Sequence, residues 1–374
     1  MRIINIGKVD KNIIPIIFGC IFYFLSRLLF TVKETKLFKH AIIPNMYACI
    51  AKMFAIIPFI ILKIRTKRLQ KYDTQKIMKN NTRLIYRNTK SEIMKGKWIY
   101  IILSSVLIFI QGLLLSYSLG IKSNSWIWDI LITSIFYYVI FRVKLYKHHY
   151  ISIIIIILTG FILDLVFKNL QNDIKNNVLF LLMRFLREII FSLVDVINKY
   201  LMEKKFCFVY ELTFYSGFFG AILYGIFSIL SYYYLKIDDF GEYYDNINRI
   251  EILVTIGLFI TQLGVYIFQL FTNKNNTPCH IFILYVFGQL ANYMDFSTNS
   301  IILIIGLIFI LFMSLVFNEI IEINICGLSE NTKKNIVYRA EIDNLIIEKN
   351  LTINSFDEDN EKRDIEIELQ NNNL

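Results

Sequence analysis

Ten apolar segments run through almost the whole chain, and most of them match the thickness of a lipid bilayer. A helix needs about 20 apolar residues to cross the hydrocarbon core, so a window of that length locates the segments. They lie at residues 13–31, 42–63, 98–119, 126–142, 149–167, 178–201, 210–235, 251–272, 279–297 and 299–322. The hydrophobic fraction of 56% and the mean hydropathy of +0.51 exceed those of a soluble domain. The sequence therefore predicts an all-α membrane protein with about ten transmembrane helices.

The sixth segment carries charged and polar residues within a stretch that is otherwise apolar. These residues are Arg184, Arg187, Glu188, Asp195, Asn198 and Lys199. On an α-helix all six fall within an arc of roughly 120° around the helix axis. A charge at mid-bilayer costs at least about 2.5 kcal/mol, so this stripe must face protein or a water-filled cavity. We predict that it lines a substrate site; the structural alternative is an ion pair of Arg184 with Glu188 that only locks helices together.

Four further polar residues lie near the middle of other segments. They are Lys52, Gln111, Gln262 and Gln289. Each is costly to expose to lipid and is expected to face inward, although the glutamines are equally explained by interhelical hydrogen bonds. Lys52, Arg184 and Arg187 place three cations at mid-depth, which suits an anionic solute such as a phosphate or nucleotide conjugate. Pro58 predicts a kink just beyond Lys52.

The loop at residues 64–97 indicates which way the chain crosses the membrane. It is rich in Lys and Arg and holds only Asp73 and Glu92 as acids, so the positive-inside rule places it in the cytoplasm. The N-terminus at 1–12 and the tail at 323–374 are then cytoplasmic too. The tail is charged and poor in apolar residues, and we expect it to be largely disordered.

The connection at residues 168–177 divides the segments into two sets of five. These sets, residues 13–167 and 178–322, are of similar length. Because five is odd, the second set must insert with the opposite topology to the first. This arithmetic predicts two inverted five-helix repeats, with a site near the midplane where the repeats meet.

The cysteines, histidines and net charge narrow the function classes. Five cysteines show no paired spacing, and four histidines lie near segment ends, so we expect no metal, no cofactor and no catalytic set. The net charge of +10 is concentrated in the loop at 64–97, where insertion topology explains it. Nucleic acid is therefore not an expected partner.

The run LVDVINKYLMEKKFCFVYELTFYSGFFGAI resembles the start of the second half of nucleotide-sugar transporters in the drug/metabolite transporter superfamily. The matching positions are Asn198, Lys199, Tyr200, Glu211, Tyr215 and Gly217. The basic turn before Gly160 and the run TPCHIFILYVFG, which Pro278 opens, are similar to that family as well. The ninth segment departs from it, with FGQLANY in place of a GALNK-like motif.

The resemblance implies a secondary transporter, not an enzyme, in a Golgi or endoplasmic reticulum membrane. Its partners would be the lipid bilayer and a small anionic solute, such as a nucleotide sugar or sugar phosphate, moved by alternating access around a midplane site. Assembly as a homodimer stays open. The alternative functions are an integral-membrane transferase acting on lipid-linked or acyl substrates and a multi-pass receptor or scaffold.

Overall fold

A computed structural model describes the residues that build the bundle. These are residues 4–6, 11–30, 42–65, 96–117, 125–170, 178–231, 233, 249–291, 298–323 and 332. Most of the N-terminus at 1–12, the basic loop at 64–97, the connection at 168–177 and the tail at 323–374 lie outside the described residues.

A helix lies at each of the ten predicted positions. The helices are α1 (Ile14–Phe30), α2 (Ile43–Met53, continued over residues 56–65), α3 (Lys97–Tyr117), α4 (Asp129–Phe141), α5 (Lys147–Leu170), α6 (Val178–Lys204), α7 (Val209–Leu230), α8 (Arg249–Asn275), α9 (Ile281–Leu290) and α10 (Thr298–Phe317). Short 3-10 turns at Lys11–Ile13, Ser125–Trp128 and Pro278–His280 precede α1, α4 and α9. Two three-residue strands, β1 (Ile4–Ile6) and β2 (Ile321–Ile323), pair in antiparallel fashion.

Four helices are long and apolar enough to cross a membrane. They are Ile43–Arg65, Lys97–Leu115, Val209–Leu230 and Arg249–Asn275. Five shorter apolar helices accompany them, and large side chains such as Ile99 and Leu253 are about 70% exposed on the outside of the bundle (70% and 69%). An apolar exterior of this kind requires lipid around it. The chain is an integral membrane protein with an all-α fold, as predicted.

Helix α2 bends where the sequence predicts. Its α-helical pattern stops at Met53, passes through a turn at Phe54 and Ala55, and resumes at residue 56. Pro58 has no backbone N–H to donate to the carbonyl of Phe54, four residues earlier, so the regular hydrogen-bond ladder breaks there. The carbonyl of Phe54 accepts a bond from the N–H of Ile57 instead, at 3.3 Å.

The helices pack in a defined set of pairs. In the described part, α1 packs on α8 and α9, α2 on α7 and α8, and α3 on α6 and α7. Helix α6 also packs on α4 and α8, and α10 packs on α5 and α9. The closest approach is between α2 and α7, where a Cβ added at Gly217 would lie 2.7 Å from the backbone oxygen of Cys49. Small residues allow such contacts in membranes, where close packing replaces hydrophobic burial.

Contacts at one end of the bundle show which helix ends lie together. The pairing of β1 with β2 joins the start of α1 to the end of α10. The side chain of Asn276 donates to the carbonyl of Asn12 at 3.1 Å, which adds the end of α8. The ion pair of Lys97 with Glu211, at 2.7 Å, joins the starts of α3 and α7 at the same end. We call this the strand end. The entry to α1 and the exit from α10 therefore lie on the same side of the bundle.

Candidate functional site

Polar side chains from five helices meet in the interior of the bundle. They come from α1, α4, α6, α8 and α9, and they are connected by hydrogen bonds and electrostatic interactions. We call them the central polar cluster: Tyr23, Arg27, Asp129, Arg187, Glu188, Ser192, Asp195, Gln269 and Tyr285. Three of the residues predicted from the stripe on α6, namely Arg187, Glu188 and Asp195, belong to it.

Gln269 of α8 connects three helices within the cluster. Its Nε2 donates to Asp195 Oδ1 at 2.8 Å and to the hydroxyl of Tyr285 at 3.3 Å. Its Oε1 accepts a hydrogen bond from the hydroxyl of Tyr23 at 3.3 Å. Both Asp195 and Gln269 are buried, at 1% and 6% exposure. Because every partner is polar and interior, this network fixes α1, α8 and α9 around one point of α6.

Asp129 lies at half the depth of the bundle, at the very start of α4. Its Oδ1 accepts hydrogen bonds from Ser192 Oγ at 2.5 Å and from Thr133 Oγ1 at 3.2 Å. Ser192 lies next to the middle of the 27-residue α6. Helix α4 has 13 residues and rises roughly 20 Å, less than the thickness of the hydrocarbon core. The predicted fourth span is thus a short helix that begins inside the bundle and places a carboxylate there.

Arg187 forms an ion pair with Glu188, its neighbour on α6. Glu188 is 3% exposed, and Arg187 is partly buried. Arg27 of α1 interacts electrostatically with both residues, so two guanidinium groups and one carboxylate share this part of the cluster. Glu188 pairs with Arg187, and the alternative ion pair of Arg184 with Glu188 stays a prediction. Arg184 lies half-buried one turn before it.

Lys52 is buried on α2 at 7% exposure, as predicted for an inward-facing residue. Its Nζ lies 3.9 Å from the ring centroid of Tyr266 on α8, a cation–π contact. Among the described residues no carboxylate forms an ion pair with Lys52.

The stripe on α6 continues from the cluster to the strand end, where its residues have other surroundings. Asn198 accepts a hydrogen bond from Ser104 of α3 at 2.8 Å. Lys199 donates to the carbonyls of Asn273 and Asn276, at 2.7 and 2.5 Å, at the end of α8. A cation at a helix C-terminus satisfies unpaired carbonyls and complements the helix dipole. These are the contacts of a C-cap, about 18 Å along the helix from Arg187.

The three predicted glutamines are half-buried on α3, α8 and α9. Gln262 donates to the hydroxyl of Ser26 on α1 at 2.9 Å. This is the interhelical hydrogen bond given as its alternative explanation. Gln111 and Gln289 lie on α3 and α9, outside the hydrogen-bond network of the central polar cluster described above.

The ion pair of Lys97 with Glu211 closes the space between α3 and α7 at the strand end. Both side chains are largely buried, and Glu211 also accepts from the backbone N–H of Phe208 at 3.3 Å. Burial raises the pKa of the Cys207 thiol beside them, and the carboxylate of Glu211 raises that pKa further. The thiol therefore stays protonated at neutral pH, whereas a reactive cysteine needs its thiolate form.

Sequence reasoning missed six of the nine residues of the central polar cluster. The missed residues are Tyr23, Arg27, Asp129, Ser192, Gln269 and Tyr285. Arg27 and Asp129 are ionisable residues inside predicted spans, but they lie near the ends of those spans, so a search for polar residues near the middle of a segment does not find them. Tyr285 and Tyr23 give no signal either, because tyrosines are common throughout the segments and only the packing shows which hydroxyls meet.

The completed site offers guanidinium, amide, hydroxyl and carboxylate groups around one interior point. Such a set binds a polar solute by many directed hydrogen bonds, and its arginines suit carboxylate or phosphate oxygens. Comparison of the chain with models of known protein families and with curated proteins finds no match.

Proposed function

We propose that this protein is a secondary transporter of an organic anion, such as a nucleotide sugar or a sugar phosphate, that works by alternating access. The observation that carries the proposal is the central polar cluster, because helices from both predicted halves build it. Helices α1 and α4 belong to the first five, and α6, α8 and α9 to the last five. Transporters with repeated halves bind their substrate where the halves meet.

The pattern of helix packing supports two equivalent halves. When every helix is exchanged with the one five places along, the pair α1–α8 becomes α6–α3, and α1–α9 becomes α6–α4; all four pairs are packed. In the same way the pair α2–α8 becomes α7–α3, which is also packed. The pairs α2–α7 and α5–α10 are each mapped onto themselves, because their two helices are five places apart. The pairs α6–α8 and α9–α10 have no packed counterpart in α1–α3 or α4–α5 within the described residues, so the correspondence with two inverted repeats is partial.

The interior cations favour an anionic substrate. Arg27 and Arg187 both interact with Glu188, while Lys52 lies over an aromatic ring without an acidic partner among the described residues. Asp129 and Asp195 take their hydrogen bonds from neutral donors, Ser192, Thr133 and Gln269. A phosphate or carboxylate entering the cluster could bind the two guanidinium groups of Arg27 and Arg187.

We expect both termini to be cytoplasmic. The strand pairing places the entry to α1 and the exit from α10 at one end, and the basic loop at 64–97 would set that end on the cytoplasmic side. Epitopes fused to each terminus should be digested by protease added to sealed microsomes without detergent. Protection of either epitope would contradict this orientation.

The function is tested by uptake into liposomes reconstituted with the purified chain. Nucleotide sugars, free nucleotides, sugar phosphates and neutral sugars are offered in turn, and we expect saturable uptake of at least one anionic class and of no neutral sugar. A transferase would instead convert its substrate, and a scaffold would give no uptake. Protein-dependent flux limited to neutral sugars would overturn the anion proposal.

Lys52→Met provides a sharp variant for this assay. Methionine keeps the length of the side chain and removes a buried charge, so the protein should fold at least as well as the wild type. Uptake should fall about tenfold or more, since a hydrogen bond to a charged group is worth about 1.5 kcal/mol or more. Lys144→Met, at an exposed position between α4 and α5, is the matched control and should transport normally. Equal uptake by the two variants would remove Lys52 from the site.

A further inference from the structure

Two adjacent histidines at the start of α5 face a glutamate in the turn that follows α10. His148, His149 and Glu319 each offer one ligand atom, and these atoms all lie within 4.8 Å of one another. The group lies at the strand end, next to β2, where α5 and α10 pack along each other. It is separate from the central polar cluster and plays no part in the proposed transport step.

His148 is the buried member of the group, at 3% exposure. Its Nε2 lies 3.2 Å from Oε1 of Glu319, yet neither ring nitrogen makes a hydrogen bond within the described part of the chain. A buried polar atom without a partner costs about 1–3 kcal/mol. A ligand that takes the lone pair of one nitrogen would remove that cost.

Glu319 occupies a backbone conformation that disfavours its own side chain. Its φ of 58° lies in the left-handed region, where glycine or asparagine normally ends a helix. A longer side chain in this region costs of order 1–3 kcal/mol, and such strain clusters at binding sites. Here the strained position brings the carboxylate to His148.

His149 completes the group from the same turn of α5. Its ring centroid lies 4.0 Å from that of His148. Its Nδ1 accepts a hydrogen bond from the backbone N–H of Tyr146 at 3.1 Å, so that nitrogen carries a lone pair. A metal ion bound at Nδ1 of His149 would displace the backbone N–H of Tyr146 from that nitrogen. Because this hydrogen bond would be lost, His149 is the weakest of the three ligands.

We propose that His148, His149 and Glu319 bind a zinc ion that links the start of α5 to the end of α10. Two imidazoles and one carboxylate form a donor set that zinc accepts, with a fourth position left for water. Mg²⁺ and Ca²⁺ prefer sites made only of oxygen ligands, so they fit this group poorly. The ion would bond the ring of His148, which is without a hydrogen-bond partner among the described residues, and join it to Glu319.

The test measures zinc bound to the full-length chain in detergent. Protein stripped with a chelator is incubated with ZnCl₂, freed of excess metal and analysed by mass spectrometry for zinc per chain. We expect about one zinc ion in the wild type. Competition with a chelator of known affinity should show that His148→Ala and Glu319→Gln each weaken binding at least about 100-fold. This is more than the loss of a residue that only hydrogen-bonds a metal ligand causes.

His280→Ala is the matched control, because His280 lies in the 3-10 turn before α9 and outside this group. It should keep the zinc content of the wild type. Added zinc should also raise the melting temperature of the wild type but not that of the double variant His148→Ala with Glu319→Gln. The proposal is overturned if the wild type holds no zinc, or if the double variant holds as much as the wild type.

Discussion

Replacing Arg187 by lysine should reduce anion uptake about tenfold or more while the protein still inserts normally. Lysine keeps the charge that neutralises the buried Glu188, so folding is preserved. It loses the planar donor fork with which arginine binds phosphate or carboxylate oxygens at two points. Uptake per molecule of reconstituted protein is the measurement. Arg65→Lys, the same exchange at the exposed end of α2, should leave uptake unchanged.

The ion pair with Glu188 makes a second variant necessary. Arg187→Ala removes the ion-pair partner of a carboxylate that is 3% exposed, and loss of one member of a buried pair costs about 3–5 kcal/mol, so expression should fall. Replacing both residues by leucine removes both charges and should restore expression without restoring uptake. Normal uptake by the double leucine variant would show that the pair only holds the helices together.

Gly217→Ala should unfold the bundle more readily than any other glycine-to-alanine change on α7. The new Cβ would lie 2.7 Å from the backbone oxygen of Cys49 and 2.7 Å from Cβ of Lys52, so α2 and α7 must move apart. Overpacking of this kind costs about 1–3 kcal/mol. We expect a clear drop in melting temperature and, since Lys52 is displaced, a loss of uptake as well.

Gly225 supplies the control on the same helix. A Cβ added there meets no atom within 4 Å, and alanine is favoured over glycine in a helix by about 1 kcal/mol. Gly225→Ala should therefore keep or raise the melting temperature. Equal destabilisation by the two variants would mean that the close contact of α7 with α2 is not what Gly217 provides.

The helices were predictable from the sequence because each is encoded locally. Apolar length locates a segment, and Pro58 locates the break in α2. The helix α4 was predicted, but its starting point was not, since the apolar run continues through the 3-10 turn at Ser125–Trp128 and only the structure shows that α4 begins beside the middle of α6.

The candidate site was predictable only where one helix carries it. The spacing of the stripe on α6 puts Arg187, Glu188 and Asp195 on one face, whatever lies opposite. Their partners Arg27, Asp129 and Gln269 come from other helices, and nothing in their local sequence tells which faces meet. Lys199 lies on the same face of α6, but further along the helix, where it contacts the end of α8. Residues on one face of α6 therefore have different partners.

The group of His148, His149 and Glu319 at the strand end was also not predictable from local sequence. His148 and His149 lie about 170 residues before Glu319 in the chain and show none of the short spacings that mark metal sites. They were therefore expected to bind no metal. The packing of α5 on α10 and the left-handed turn at Glu319 bring the three side chains together.

The most direct test of alternating access is the accessibility of the central polar cluster from the two sides of the membrane. Ser192 is fully buried and bonded to Asp129, so water reaches it only when the halves move apart. The chain with its five native cysteines replaced by alanine and with Ser192→Cys is placed in sealed vesicles and treated with a membrane-impermeant thiol reagent on either side. We predict labelling from each side, slowed by the transported anion. Labelling from one side only, or from neither, would contradict a transport site at this point.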